Sequence, residues 1–157
     1  MPTLLISLFL ACSNGADTQD GTGTGSPSAA FDDMVGDLAA TTERHGREVS
    51  DAQGVGAIDA LEGDYWSFCQ STWDTMSGCM SAFRDCDGMS GMMGPMNDWD
   101  GLTSDLWGWM QDHHDAMAAC QDVACCHDEE DRWQQQMGDW LDQAGSTEQP
   151  WSDDCDW

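Results

Sequence analysis

The residues best suited to chemistry in this 157-residue chain are one histidine and one glutamate that occur together twice. His45 and Glu62 reappear, at an offset of 68 residues, as His113 and Glu130. The same offset relates Phe31, Asp32, Leu38, Gln53, Val55 and Tyr65 to Trp99, Asp100, Leu106, Gln121, Val123 and Trp133. An internal repeat fixes architecture before local propensity does, and a polar pair kept in both copies where a core should be apolar marks a candidate site. Burying an unpaired carboxylate costs on the order of several kcal/mol, so each glutamate needs a partner. A transition metal is one answer, because two imidazoles and two carboxylates make a reasonable mononuclear set for zinc, iron or copper. The alternative is a pair of His–Glu hydrogen bonds that fix register, as buried polar residues do in coiled coils.

A second cluster surrounds His113. Met110, His113 and Met117 fall on one helical face, with His114 beside them, giving a thioether–imidazole–thioether stripe. It resembles the Met/His motif of small periplasmic copper-binding helical-bundle proteins. The resemblance implies that Met110, His113, His114 and Met117 ligate copper. Methionine at such positions also serves as core filling. Four further methionines, Met89, Met92, Met93 and Met96, lie in a glycine-rich segment that either offers soft ligands to Cu(I) or pads the end of the domain.

Helices must position these groups. Phe31, Val35, Leu38, Thr42, His45 and Val49 repeat at fours and threes, the seam of a bundle helix with Ser28 as its expected N-cap. Ile58, Glu62, Tyr65, Cys69, Thr72, Met76, Cys79 and Phe83 form a second stripe. Trp99, Thr103, Leu106, Met110, His113, Met117 and Cys120 form a third; Val123, Cys126, Glu130, Trp133, Met137 and Trp140 form the fourth. No segment alternates apolar and polar residues as a strand does. The expected fold is all-α: a four-helix up-down-up-down bundle made of two repeated helical hairpins, 29–86 and 98–145, joined by a Met/Gly linker over 87–97. Gly145 and Pro150 should end the regular structure and leave a tail over 146–157. The tight loops near Gly54 and Asp122 then share one end, and all four polar residues stand about 12 Å below it at 1.5 Å per residue. One core layer would hold two imidazoles and two carboxylates.

The ferritin-like di-iron signature pairs a glutamate with a histidine three residues on. Tyr65 and Trp133 occupy those places, which argues against a di-iron oxidase. Neither a nucleophile elbow, a phosphate-cradling glycine loop, His-Glu-x2-His nor a dinucleotide fingerprint is present, so the expectation is not an enzyme.

Thirty acidic residues against four arginines give a formal net charge of -26. Self-repulsion and phosphate repulsion together exclude nucleic acid and make an anionic membrane surface a poor partner. Of eight cysteines, Cys120 with Cys125 or Cys126 could staple the second loop, and Cys155 could reach Cys79 or Cys86. Cys79 and Cys86 are about 10 Å apart on one helix and cannot pair with each other.

Residues 1–11 form an uncharged apolar run too short to span a bilayer and read as a signal peptide. Phe9-Leu10-Ala11-Cys12 resembles the lipobox of bacterial lipoproteins. That resemblance implies lipid on Cys12, a membrane anchor and, with Ser13 following, the outer membrane. Residues 12–28 are rich in Gly, Thr, Ser and Asp and read as a flexible tether. The expected protein is an exported, lipid-anchored bundle that holds a transition metal for storage, buffering or sensing. The alternative is a structural envelope lipoprotein with a protein partner and no small ligand.

Overall fold

A computed structural model describes residues 27–86 and 91–151. Four helices account for nearly all of them: α1 (Pro27–Asp51), α2 (Val55–Asp85), α3 (Met93–Ala119) and α4 (Val123–Ser146). Each packs on its two neighbours in the cyclic order α1, α2, α3, α4, the arrangement of an up-down-up-down bundle. The expected signal peptide, the tether up to residue 26, Cys12, Cys155 and the linker's Met89 lie outside the described residues. Among the described helices, none is long and apolar enough to cross a membrane.

The repeat is realised in the loops as well as the helices. Gly54 precedes α2 in extended backbone, and Asp122 precedes α4 with its side chain accepting from the Cys125 amide at 2.9 Å. That bond satisfies one of the amides a helix start leaves free. The Cys120–Cys125 disulfide spans the same turn. At this end His127 Nε2 donates to the Val49 carbonyl at 3.0 Å, tying the start of α4 to the end of α1.

Three boundaries differ from the sequence reading. Ser28 lies inside the first turn of α1 rather than before it. Helix α3 begins at Met93, inside the segment expected to be linker, because Pro95 falls in its first turn, where a missing amide hydrogen breaks no intrahelical bond. Gly145 lies within α4; Thr147 caps that helix through its amide instead.

The buried stripes are those of the heptad-like spacing, with Met34 buried beside a half-buried Val35 on the large core and Val123 half-buried on the small one. The large core runs from Phe31, Phe83 and Trp99 at one end to Tyr65, Met110 and Trp133. Trp99 meets Phe31 edge-on at 4.9 Å, and its indole donates to the Glu148 carbonyl, which folds the segment after α4 back over this end. A small second core, Val49, Ile58, Met117, Cys120 and Cys126, sits under the short loops. Each fully buried apolar side chain contributes roughly 1.5–3 kcal/mol, so the larger core carries most of the stability. The polar layer lies between the two.

Candidate metal centre

His45, Glu62, His113 and Glu130 come one from each helix and meet inside the bundle, with relative exposures of 3%, 6%, 1% and 1%. His45 Nε2 is 3.3 Å from Glu62 Oε2 and 3.4 Å from Glu130 Oε2. His113 Nε2 is 3.6 Å and 3.5 Å from the same two oxygens. Imidazole and carboxylate therefore alternate around a closed ring. These four atoms have no hydrogen-bond partner, since every separation exceeds the usual N–H···O distance of about 2.9–3.0 Å. The donor atoms of His45, Glu62 and His113 lie within 4.8 Å of one another and could hold a metal ion. Glu130 completes the ring from the far side, within reach of both imidazoles.

The outward-facing atoms of His113, Glu62 and Glu130 are held. His113 Nδ1 lies 3.1 Å from Glu129 Oε1, and Arg132 grips the Glu129 carboxylate through Nε at 2.9 Å and Nη2 at 2.6 Å. A proton on Nδ1 leaves the Nε2 lone pair facing the ring, the carboxylate–histidine arrangement that orients metal-binding imidazoles. Glu62 Oε1 meets His114 Nδ1 at 3.0 Å. Glu130 Oε1 accepts from Gln134 Nε2 at 2.6 Å.

Aromatic rings fix the imidazoles from the side of the large core. His45 stacks on Tyr65 at 4.1 Å with planes 8° apart, and His113 on Trp133 at 4.9 Å with planes 12° apart. The Trp133 indole donates to the Tyr65 hydroxyl at 3.0 Å, and that hydroxyl is hydrogen-bonded to Thr42 at 2.7 Å. So the residues standing where a di-iron protein would have histidines are the platform beneath the ring.

Burial pulls the His45 imidazole down, but Glu130 and Glu62 outweigh it and push it up to about 9. Burial pushes Glu62 up, and His113, His45 and His114 outweigh that and hold it at about 2. The ring thus favours positive charge at its centre. Cys69 is nearby but burial pushes its thiol up to about 12, which keeps it protonated and unsuited to ligation.

The structure brings together the four residues of the repeated pair. His114 is half-buried against Trp66 and reaches the ring only through Glu62. Met110 packs in the large core and Met117 in the small one, one on each side of the layer. Cys79 and Cys86 are disulfide-bonded, while the expected partner Cys155 lies outside the described residues. Glu129, Gln134 and the stacking role of Tyr65 and Trp133 were not foreseen. A signal existed for Gln134: the offset of 68 aligns it with Trp66, and Gly46 with His114, so the repeat breaks beside the ring.

No protein-family model matches this chain, and no curated protein or solved structure is similar to it.

Proposed function

We propose that the bundle binds one divalent transition-metal ion in the His45, Glu62, His113 and Glu130 ring, and that holding this ion at the cell envelope, for storage, buffering or sensing, is its task. The observation that carries the reading is the set of four buried nitrogen and oxygen atoms, one per helix, facing one another without a hydrogen bond. Two carboxylates and two neutral imidazoles around a divalent cation sum to zero charge, which lowers the cost of burial. Two imidazoles and two carboxylates are a donor set suited to zinc, iron(II) or copper(II). Cu(I) prefers sulfur, and Met110 and Met117 belong to separate cores. Four protein ligands would leave no coordination position for a substrate, in keeping with holding rather than catalysis. Anchoring through lipid on Cys12, at the outer membrane, rests on the lipobox resemblance.

The test is elemental analysis of the folded protein prepared without chelator, followed by stripping and titration with zinc, iron(II) and copper. One equivalent retained and rebound at micromolar concentration or tighter, and lost in His45→Ala/His113→Ala, supports the reading. Failure to rebind any of the three overturns it. It would leave two buried His–Glu ion pairs that set register, the role favoured by the raised His45 proton affinity.

A further inference from the structure

We propose that the groove between α1 and α4 is the port through which the cation reaches the ring, with Glu130 as the last carboxylate to close on it and Gln134 as the residue that positions Glu130. The inference rests on the metal reading and concerns the route by which the ion arrives.

The two flanks of the ring differ where the repeat breaks. On the α2–α3 flank, Trp66 and His114 stack at 4.4 Å with planes 6° apart, and His114 holds the outer oxygen of Glu62. The stack continues from Trp66 to Trp107 at 5.6 Å and on to Trp73 at 5.2 Å, so three indoles cover that flank. On the α1–α4 flank the equivalents of Trp66 and His114 are Gln134 and Gly46, and neither supplies a ring. In their place is a groove of about 390 Å³ that reaches Glu130. Glu43, Asp51 and Asp131 line it, and its one cation, Arg47, is paired with Glu43. A cleft of this sign concentrates cations.

Gln134 fills the role of His114 from a different direction. Its Nε2 donates to Glu130 Oε1 at 2.6 Å and to the Thr42 carbonyl at 2.8 Å, crossing the face of α1 to do so. That crossing requires glycine at position 46, because a Cβ there would stand 2.6 Å from Nε2. A neutral amide on a flexible stem can move with the carboxylate it holds. An imidazole clamped under an indole is confined. Glu130 Oε2 lies 3.4 and 3.5 Å from the two imidazoles, as close as Glu62 Oε2 does at 3.3 and 3.6 Å, so what sets Glu130 apart is the groove beside it and the mobile amide that holds it.

Co2+ is the probe, followed by its visible absorption in stopped flow after mixing with chelator-stripped full-length protein. Ser50→Trp fills the groove; the repeat-related Ala118→Trp, on α3, serves as its control. Ser50→Trp should slow both uptake and chelator-driven release by about tenfold, as expected of a gating step, with Kd within twofold of wild type. Ala118→Trp should change neither rate. Arg47→Ala, which needs no new packing, should speed uptake several-fold at low ionic strength and lose that advantage in high salt. Gln134→Leu should speed release. Unchanged rates in Ser50→Trp and Arg47→Ala, with wild-type Kd, would overturn the port while leaving the metal site standing. Absence of Co2+ binding to the wild type would remove both.

Discussion

His45 in the first hairpin stands 3.4 Å from Glu130 of the second and 3.3 Å from Glu62 of its own. The repeated polar pair is therefore shared across the hairpins and not closed within each. Neither hairpin alone contains the ring, so assembly of the bundle and formation of the site are one event, and whatever binds the ring binds only the folded chain. Metal should accordingly raise the melting temperature in proportion to the logarithm of its concentration above Kd, measured by calorimetry with and without chelator.

Glu129 touches the ring only through His113, which makes it a positioning residue. Glu129→Gln should weaken zinc affinity by about 10–100-fold, the usual effect of removing an outer carboxylate. Competition against a chromophoric chelator measures this. An affinity equal to wild type would show that the Arg132–Glu129–His113 chain serves packing alone.

The stripped protein should be most stable in a narrow pH window. His45 is raised from an ordinary value near 6.5 to about 9, so its contribution is complete below pH 6.5 and is lost as pH rises through 9. Glu62 is lowered from 4.5 to about 2, so its contribution is complete above pH 4.5 and is lost as pH falls through 2. The two shifts share the His45–Glu62 contact and so do not add. Urea melts of chelated protein should peak between pH 4.5 and 6.5 and decline toward pH 9. Saturating zinc should abolish the alkaline decline, since the metal replaces the protons.

Replacing one member of the ring differs from replacing all four. Glu130→Leu leaves two imidazoles facing a single carboxylate and should destabilise the stripped protein by about 3–5 kcal/mol. The quadruple change of His45, Glu62, His113 and Glu130 to leucine should be neutral or stabilising by about 1–4 kcal/mol, with zinc binding gone. Denaturant midpoints of the two variants decide whether the layer is kept for stability or for its ligand.

The cysteines among the described residues divide into staples and buried thiols. Cys120–Cys125 closes a loop with a sequence separation of 5, so Cys125→Ser should cost about 2 kcal/mol. Cys69 and Cys126 are free and buried, and Cys69 holds its proton to about 12. Neither should react with iodoacetamide at pH 8 until denaturant is added, which mass spectrometry reads directly.

Much of the fold was legible because helical periodicity is a local property. All eight residues of the Ile58–Phe83 stripe and all seven of the Trp99–Cys120 stripe are buried. The repeat then put His45, Glu62, His113 and Glu130 at one depth, and equal loop positions at 54 and 122 preserved that depth. The errors are local chemistry with two valid outcomes. Pro95 ends a helix in most places yet is tolerated in a first turn, so the start of α3 was misplaced. His114 sits beside His113 in sequence, but adjacent helical residues point about 100° apart, so one imidazole entered the ring and the other turned to the α2–α3 flank against Trp66.

What the sequence determined by itself was periodic: four apolar stripes, two loops in equal register, and a polar pair repeated at a fixed offset. What only the tertiary structure decided was which lone pairs face one another. Outer partners set that choice: Glu129 on His113 and His114 on Glu62 come from neighbouring helices, and Gln134, on the same helix as Glu130, is itself tied across to the Thr42 carbonyl of α1. Contacts across helix interfaces depend on rotamers and on gaps such as the one at Gly46, and no spacing along a single helix encodes them.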